Sequence, residues 1–144
     1  MFSEETMINM ADGTMKMIKD VKARDYVLNK LKNPVKVERN IKTAQQVVRK
    51  IIIDNGSDPF YITEDTLFLC VYNNGSFTSK YANMDTIQKF NGKLKTSLKI
   101  FSQESNINVL EYTPDLIRKD VYSLELLDQD NTSSYFVCNV IIST

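Results

Sequence analysis

Every glycine of this 144-residue chain stands directly after an Asp or an Asn: Asp12-Gly13, Asn55-Gly56, Asn74-Gly75 and Asn91-Gly92. A two-residue hairpin turn needs positive φ at its centre, and Asp-Gly or Asn-Gly reaches that conformation at the lowest cost. Four such pairs, spaced by segments rich in Ile, Val, Tyr, Phe and Thr, predict an antiparallel, all-β chain. The expected strands run approximately over Met7–Met10, Met15–Ile18, Tyr26–Asn29, Val35–Arg39, Val47–Ile53, Leu67–Tyr72, Ser76–Lys80, Lys93–Phe101, Val109–Tyr112, Val121–Leu127 and Ser134–Ile142.

One stretch pulls two ways. In "TAQQVVRKI" the residues Ala44, Val47, Val48 and Ile51 follow helical spacing behind Thr43 as an N-cap. The β-branched run Val47, Val48, Ile51, Ile52 and Ile53 decides for strand, entered through a turn. Short helical turns are expected in "TPDLIRK", with Thr113 as cap and Pro114 at the first helical position, and in "MDTIQKF".

Two segments also repeat an order of parts. "DGTMKMIKDVKARDYVL" and "NGSFTSKYANMDTIQKFNGKLK" each give a turn, a polar-alternating strand, a short helical turn and a strand led by Asp25 or Gly92. This predicts two related halves about a pseudo-twofold axis. No Pro- or Ser-rich linker divides the chain, so residues 1–144 read as one domain.

Histidine is absent, which removes Ser-His-Asp and Cys-His catalysis and HExxH zinc sites. A zinc site would need both cysteines plus carboxylates, so no metal and no cofactor is expected. Ser-Lys or paired-carboxylate chemistry is compatible with the composition, but no such pair stands out by spacing. Cys70 and Cys138 lie inside apolar runs and read as buried thiols of a reducing, intracellular compartment. No apolar run approaches ~20 residues and no signal-peptide pattern opens the chain, so no membrane association is expected.

Formal charge is zero but unevenly spread. Residues 16–50 carry eleven Lys and Arg against Asp20, Asp25 and Glu38, while residues 101–144 carry Arg118 and Lys119 against seven acids. The basic 16–50 region supports a nucleic-acid-binding alternative. Two observations oppose it: the two regions partly offset each other if they meet in space, and no stacking aromatics interleave with Lys16, Lys19, Lys22 and Arg24.

The order of motifs resembles that of the Hint domains, the module shared by inteins and hedgehog autoprocessing domains. "MFSEETMINMADGTMKMIKDVKARDYVL" is similar to their N-terminal motif at Phe2, Thr6, Ile8, Asp12, Gly13, Ile18, Asp20, Asp25 and Val27. "YITEDTLFL" resembles their Thr-x-x-His motif, and "DVYSLELLDQDNTSSYFVCNVIIST" their closing motif. The resemblance spans the chain and implies an all-β horseshoe of two pseudo-symmetric halves, with short helical turns and adjacent termini. An unrelated β-barrel or sandwich would place Met1 and Thr144 without regard to each other.

In that family a first-residue Cys or Ser attacks the preceding carbonyl, a motif His and Thr protonate the scissile amide, and a terminal Asn next to His cyclises. Carried over position by position, the resemblance implies that most of this chemistry is gone. Met1 stands at the nucleophile position, and a thioether has no proton to lose. Thr63 and Asp65 are kept, while Thr66 occupies the histidine position. A Thr hydroxyl does not donate its proton as an acid near neutral pH. Ser123 replaces an assisting Asp, Ser143 and Thr144 fall where His-Asn would end an intein, and Arg24 replaces the glycine before Asp25. Ser3 as a displaced nucleophile has no visible base.

The reading is a degenerate, non-splicing Hint-like domain, not an enzyme, that serves as a structural or protein-interaction module within a larger assembly. Its expected partner is another protein rather than a small molecule. The alternative is an active self-processing domain whose first-residue nucleophile has been replaced by Met1. The second alternative is the nucleic-acid binder.

Overall fold

The computed structural model describes residues 1–71, 79–96, 106–127 and 134–144, with the backbone alone at 115 and 116. The first half runs β1 (Phe2–Ser3), β2 (Met7–Asn9), β3 (Met15–Met17), a 3-10 turn (Ile18–Asp20), β4 (Tyr26–Leu28) and β5 (Pro34–Ile53). The second runs β6 (Phe60–Ile62), β7 (Phe68–Val71), β8 (Ser79–Ala82), α1 (Met84–Lys89), β9 (Lys93–Lys95), β10 (Asn106–Ile107) and β11 (Val109–Leu126). A closing hairpin, β12 (Ser134–Val137) and β13 (Val140–Ser143), follows.

Asp12-Gly13 makes the β2–β3 turn as expected. Gly13 takes φ +88°, and Asp12 Oδ1 accepts from the Thr14 amide at 2.9 Å and from its hydroxyl at 2.6 Å. Asn55-Gly56 lies in the connection between β5 and β6, with Gly56 at φ +76°. Asn91-Gly92 is not a hairpin turn but the end of α1. Asn91 takes φ +57° and the Gly92 amide donates back to the Ile87 carbonyl at 2.8 Å, the closure that ends many helices. Asn74-Gly75 lies outside the described residues, as do parts of the Leu67–Tyr72, Ser76–Lys80 and Lys93–Phe101 expectations.

The helical turn in "MDTIQKF" forms as α1. Asn83 Oδ1 accepts from the Thr86 amide at 3.0 Å, Asp85 sits in the first turn and Lys89 in the last. The helical turn in "TPDLIRK" does not form. These residues lie inside β11, antiparallel to β5, with Thr113 opposite Lys50, Pro114 opposite Arg49 and Arg118 opposite Val47. The register shifts between Pro114 and Arg118, so a bulge accommodates the proline that an unbroken inner ladder would reject. "TAQQVVRKI" is strand as expected, part of the 20-residue β5. Val35–Arg39 and Val47–Ile53 are thus one strand, and Val109–Tyr112 and Val121–Leu127 another. The Ser134–Ile142 run is instead two strands, turned at Cys138 and Asn139, which take φ +48° and +68°.

The strands form two sheets. The first has the order β11-β1-β6-β5-β4, and the second β10-β9-β7-β13-β12-β2-β3 with β8 on β7. Exchanging β1 with β6 and β5 with β11 leaves the order β11-β1-β6-β5 unchanged. The same operation exchanges β7 with β2 on either side of the β13-β12 hairpin. The pseudo-twofold therefore passes between β1 and β6, where Phe2 pairs with Ile62. One buried cluster takes side chains from Phe2 to Ile142 and from both sheets. Phe2, 1% exposed, packs on Phe60 and edge-on against Tyr135, both at 6.4 Å between ring centres.

Candidate functional site

The short strands β1 and β6 carry the residues around position 1. Their antiparallel register puts Phe2 opposite Ile62, so Met1 falls opposite Thr63, whose amide donates to the Met1 carbonyl at 3.1 Å. On its other side β1 pairs with β11, Phe2 against Tyr122, which sets Met1 opposite Ser123. After β6 the chain turns, with the Thr66 amide donating to the Thr63 carbonyl at 3.2 Å. Both threonine hydroxyls then face Met1. Its amine donates to Thr63 Oγ1 at 3.1 Å and to Thr66 Oγ1 at 3.0 Å, and Thr63 Oγ1 donates to Asp65 Oδ1 at 2.5 Å. Thr66 is buried and Asp65 exposed.

Burial pushes the Met1 amine down from its ordinary 8.0 to about 6, against the pull of the Asp65 carboxylate. The last strand reaches the same place. Ile142 pairs with Phe68, and the Ser143 amide donates to the Leu67 carbonyl at 2.9 Å. Met1 and Ser143 are thus both fastened to the Thr63–Leu67 segment. The exposed Thr144 follows, its carbonyl accepting from Ser143 Oγ at 3.4 Å.

Met1, Thr63, Asp65, Thr66, Ser123 and Ser143 are therefore brought together: Met1 precedes β1, Thr63, Asp65 and Thr66 follow β6, and Ser123 and Ser143 lie in β11 and β13. The group offers a thioether, four hydroxyls and one carboxylate, and no imidazole. Among the described residues no group of three His, Cys, Asp or Glu side chains could hold a metal ion. Cys70 and Cys138 are buried and form no disulfide, and burial pushes the Cys138 thiol up to about 11.

The site has a counterpart in the other half of the fold. The pseudo-twofold carries Thr63 and Thr66 onto Ser3 and Thr6. The local geometry repeats: Ser3 Oγ lies 3.2 Å from Thr6 Oγ1, and Thr63 Oγ1 lies 3.3 Å from Thr66 Oγ1. The Thr6 amide donates to the Ser3 carbonyl at 3.1 Å, as that of Thr66 does to Thr63. Ser3 Oγ accepts from the Tyr61 amide at 3.3 Å, just as Thr63 Oγ1 accepts from Met1. The signal was present as "FSEETMI" against "ITEDTLF", a repeat in phase with the symmetry. Ser3 is buried against hydroxyl and amide partners, with no base among them.

Solved intein structures share this fold. The DnaB intein from Synechocystis sp. PCC 6803 superposes with a TM-score of 0.73 at 16% identity, covering 99% of this chain and 96% of that one. A mutant of an Ssp DnaB mini-intein variant gives a TM-score of 0.77 at 16% identity, covering 99% and 90%. The MchDnaB-1 intein gives 0.74 at 9% identity, covering 100% of both chains. The chain has the Hint fold of the inteins. No family model matches the sequence, and no curated protein does.

Within that Hint fold, Arg24 takes φ +78° while its amide donates to the Val37 carbonyl at 2.8 Å. A glycine, the residue that the motif carries there, adopts this conformation without strain. The charged regions also meet in space. Arg39 pairs with Glu125, and Lys42 with Asp120 at 3.5 Å, so two acids of the 101–144 region face two bases of the 16–50 region. Lys16 pairs with Asp25 and Arg49 with Glu64, each at 3.1 Å. Among the described residues no helix is long and apolar enough to cross a membrane.

Proposed function

We propose that this chain is a Hint-fold domain that has lost self-processing and acts through its surface as a structural or protein-interaction module. One observation carries the reading. The amine of residue 1 is held by two threonine hydroxyls, at 3.1 and 3.0 Å, where the family places a proton-donating histidine. The threonines satisfy the nitrogen but do not protonate it as a leaving group near neutral pH. The Met1 side chain supplies no nucleophile, so an acyl shift lacks both its attacking group and its acid. The hydrogen-bonded frame survives because it also closes the fold: Thr63 and Thr66 tie β1 to β6, and Leu67 ties down the last strand. With the chemistry gone, a stable scaffold retains value through its surface.

The reading is tested by placing the chain between two flanking proteins and adding a strong thiol or hydroxylamine. The fusion should remain intact, because no thioester or ester forms at residue 1. Release of the upstream flank would establish the self-processing alternative instead. The paired charges of the 16–50 region favour a protein surface over a phosphate-tracking one. A nucleic-acid binder would be retained on DNA or RNA at low salt and released as salt rises.

A further inference from the structure

The face of the β2–β3 hairpin opposite the buried Ile8 is rich in thioethers. Such a face normally carries polar side chains, while the alternate residues go to the core. Here Ile8 is fully buried, and the opposite face carries Met7, Met15 and Met17 beside Asn9; Met7 lies directly opposite Met17 and packs against the core, while Met15 is exposed. These are three of the six methionines in the chain. They line a groove of about 340 Å³ together with Cys138, one of the two cysteines. Cys138 is held against this hairpin, its amide donating to the Met7 carbonyl at 2.9 Å.

Cross-strand partners place their Cβ atoms ~4.5–5.5 Å apart, and residues two apart on a strand lie about 7 Å from each other. Flexible thioether side chains close such gaps readily. The charge of the groove has one sign. Glu5 and Asp58 line it and no Lys or Arg does.

We propose that this groove binds one soft monovalent metal ion of the copper(I) class through the sulfur atoms of Met7, Met15, Met17 and Cys138. Soft thioether and thiolate ligands select such ions over hard divalent cations. The two carboxylates favour a cation over a neutral ligand, which separates this reading from a purely apolar docking groove. On binding, the Cys138 thiol gives up its proton to solvent as the sulfur–metal bond forms. The groove is separate from the Met1–Thr66 cluster, so the proposal stands or falls independently of the lost self-processing.

The test uses the whole chain under anaerobic conditions, titrated with copper(I) against a chromophoric copper(I) chelator. One ion per chain is expected, and equally so in Cys70→Ala. Met15→Leu combined with Met17→Leu keeps volume and apolarity but removes two sulfurs. Circular dichroism and thermal melting should show it folded, with affinity at least about tenfold weaker, the scale on which even supporting residues act on metal affinity. Silver(I), which is not redox-active here, should shift the methyl resonances of Met7, Met15 and Met17 and leave Met84 in place. Unchanged affinity in the leucine variant would overturn the proposal. So would failure to compete with the chelator, dependence on Cys70, or equal shifts across all methionines.

Discussion

At Arg24 the backbone sits in the left-handed region, at φ +78°, which costs an L-residue about 1–2 kcal/mol. Glycine removes that strain but gives back part of the gain through the greater freedom of its unfolded chain. Arg24→Gly should therefore raise stability by about 0.5–1 kcal/mol in denaturant unfolding; a loss of that size would show that the arginine side chain contributes more than its backbone costs. Asp25, its neighbour, accepts from the Lys22 amide at 2.9 Å and from Lys16 Nζ at 3.1 Å. The amide first, then the ammonium, hold its carboxyl below the ordinary 3.8. A depressed carboxyl stabilises the fold above its unfolded pKa and ceases to do so as pH falls through the folded one. Asp25→Asn should accordingly flatten the decline in stability below about pH 4, followed by unfolding at a series of pH values. The Met1 amine has the opposite sign of charge. In a chain where it is free, its folded pKa of about 6 lies below its ordinary 8.0, so the unfolded chain binds more protons between those values. Stability should rise across pH 6 to 8 by up to about 2–3 kcal/mol. Acetylating or extending the amine should remove that rise.

Among the elements, α1 is the one whose sequence states its boundaries. Asn83 caps it, Met84 and Ile87 are its buried face, and Asn91 closes it with positive φ. Asn83→Ala should cost about 1 kcal/mol in thermal or denaturant unfolding. No loss would mean that packing of Met84 and Ile87 alone sets the helix. The strands show where local signals reach their limit. "TPDLIRK" carries a good helix start, yet its partner β5 offers an antiparallel ladder on which Thr113, Pro114 and Arg118 all find places. A ladder to a strand some sixty residues away leaves no trace in a seven-residue window, and tertiary pairing overrides a local cap. Asn91-Gly92 misled for a related reason: the same left-handed propensity serves a hairpin turn and a helix end. What flanks it decides.

Over the whole molecule the pseudo-twofold ties these parts together. It relates β1 to β6 and β5 to β11, and its axis runs where Phe2 meets Ile62. The repeat of strand, helical turn and strand was readable at β3–β4 and at β8–β9. The shorter repeat "FSEET" against "ITEDT" carries little weight as five residues of sequence, and only the fold shows its hydroxyls in matching places. The neighbours of Met1 were legible only through the ordered family motifs. No spacing rule links residues 1, 66, 123 and 143, and the fold alone brings them together. If the frame is intact and only the chemistry is missing, restoring the chemistry should restore a reaction. With an upstream flank present, Met1→Cys together with Thr66→His should give thiol-induced cleavage at the junction, detected as a released flank. Either change alone should release far less.

The central claim is that the Hint frame persists without self-processing, and the mass of the flanked chain tests it most directly. Expressed with segments before residue 1 and after residue 144, the unaltered chain should show a single full-length mass after prolonged incubation. A time-dependent appearance of the excised 144-residue chain, or of its two flanks joined, would contradict the account.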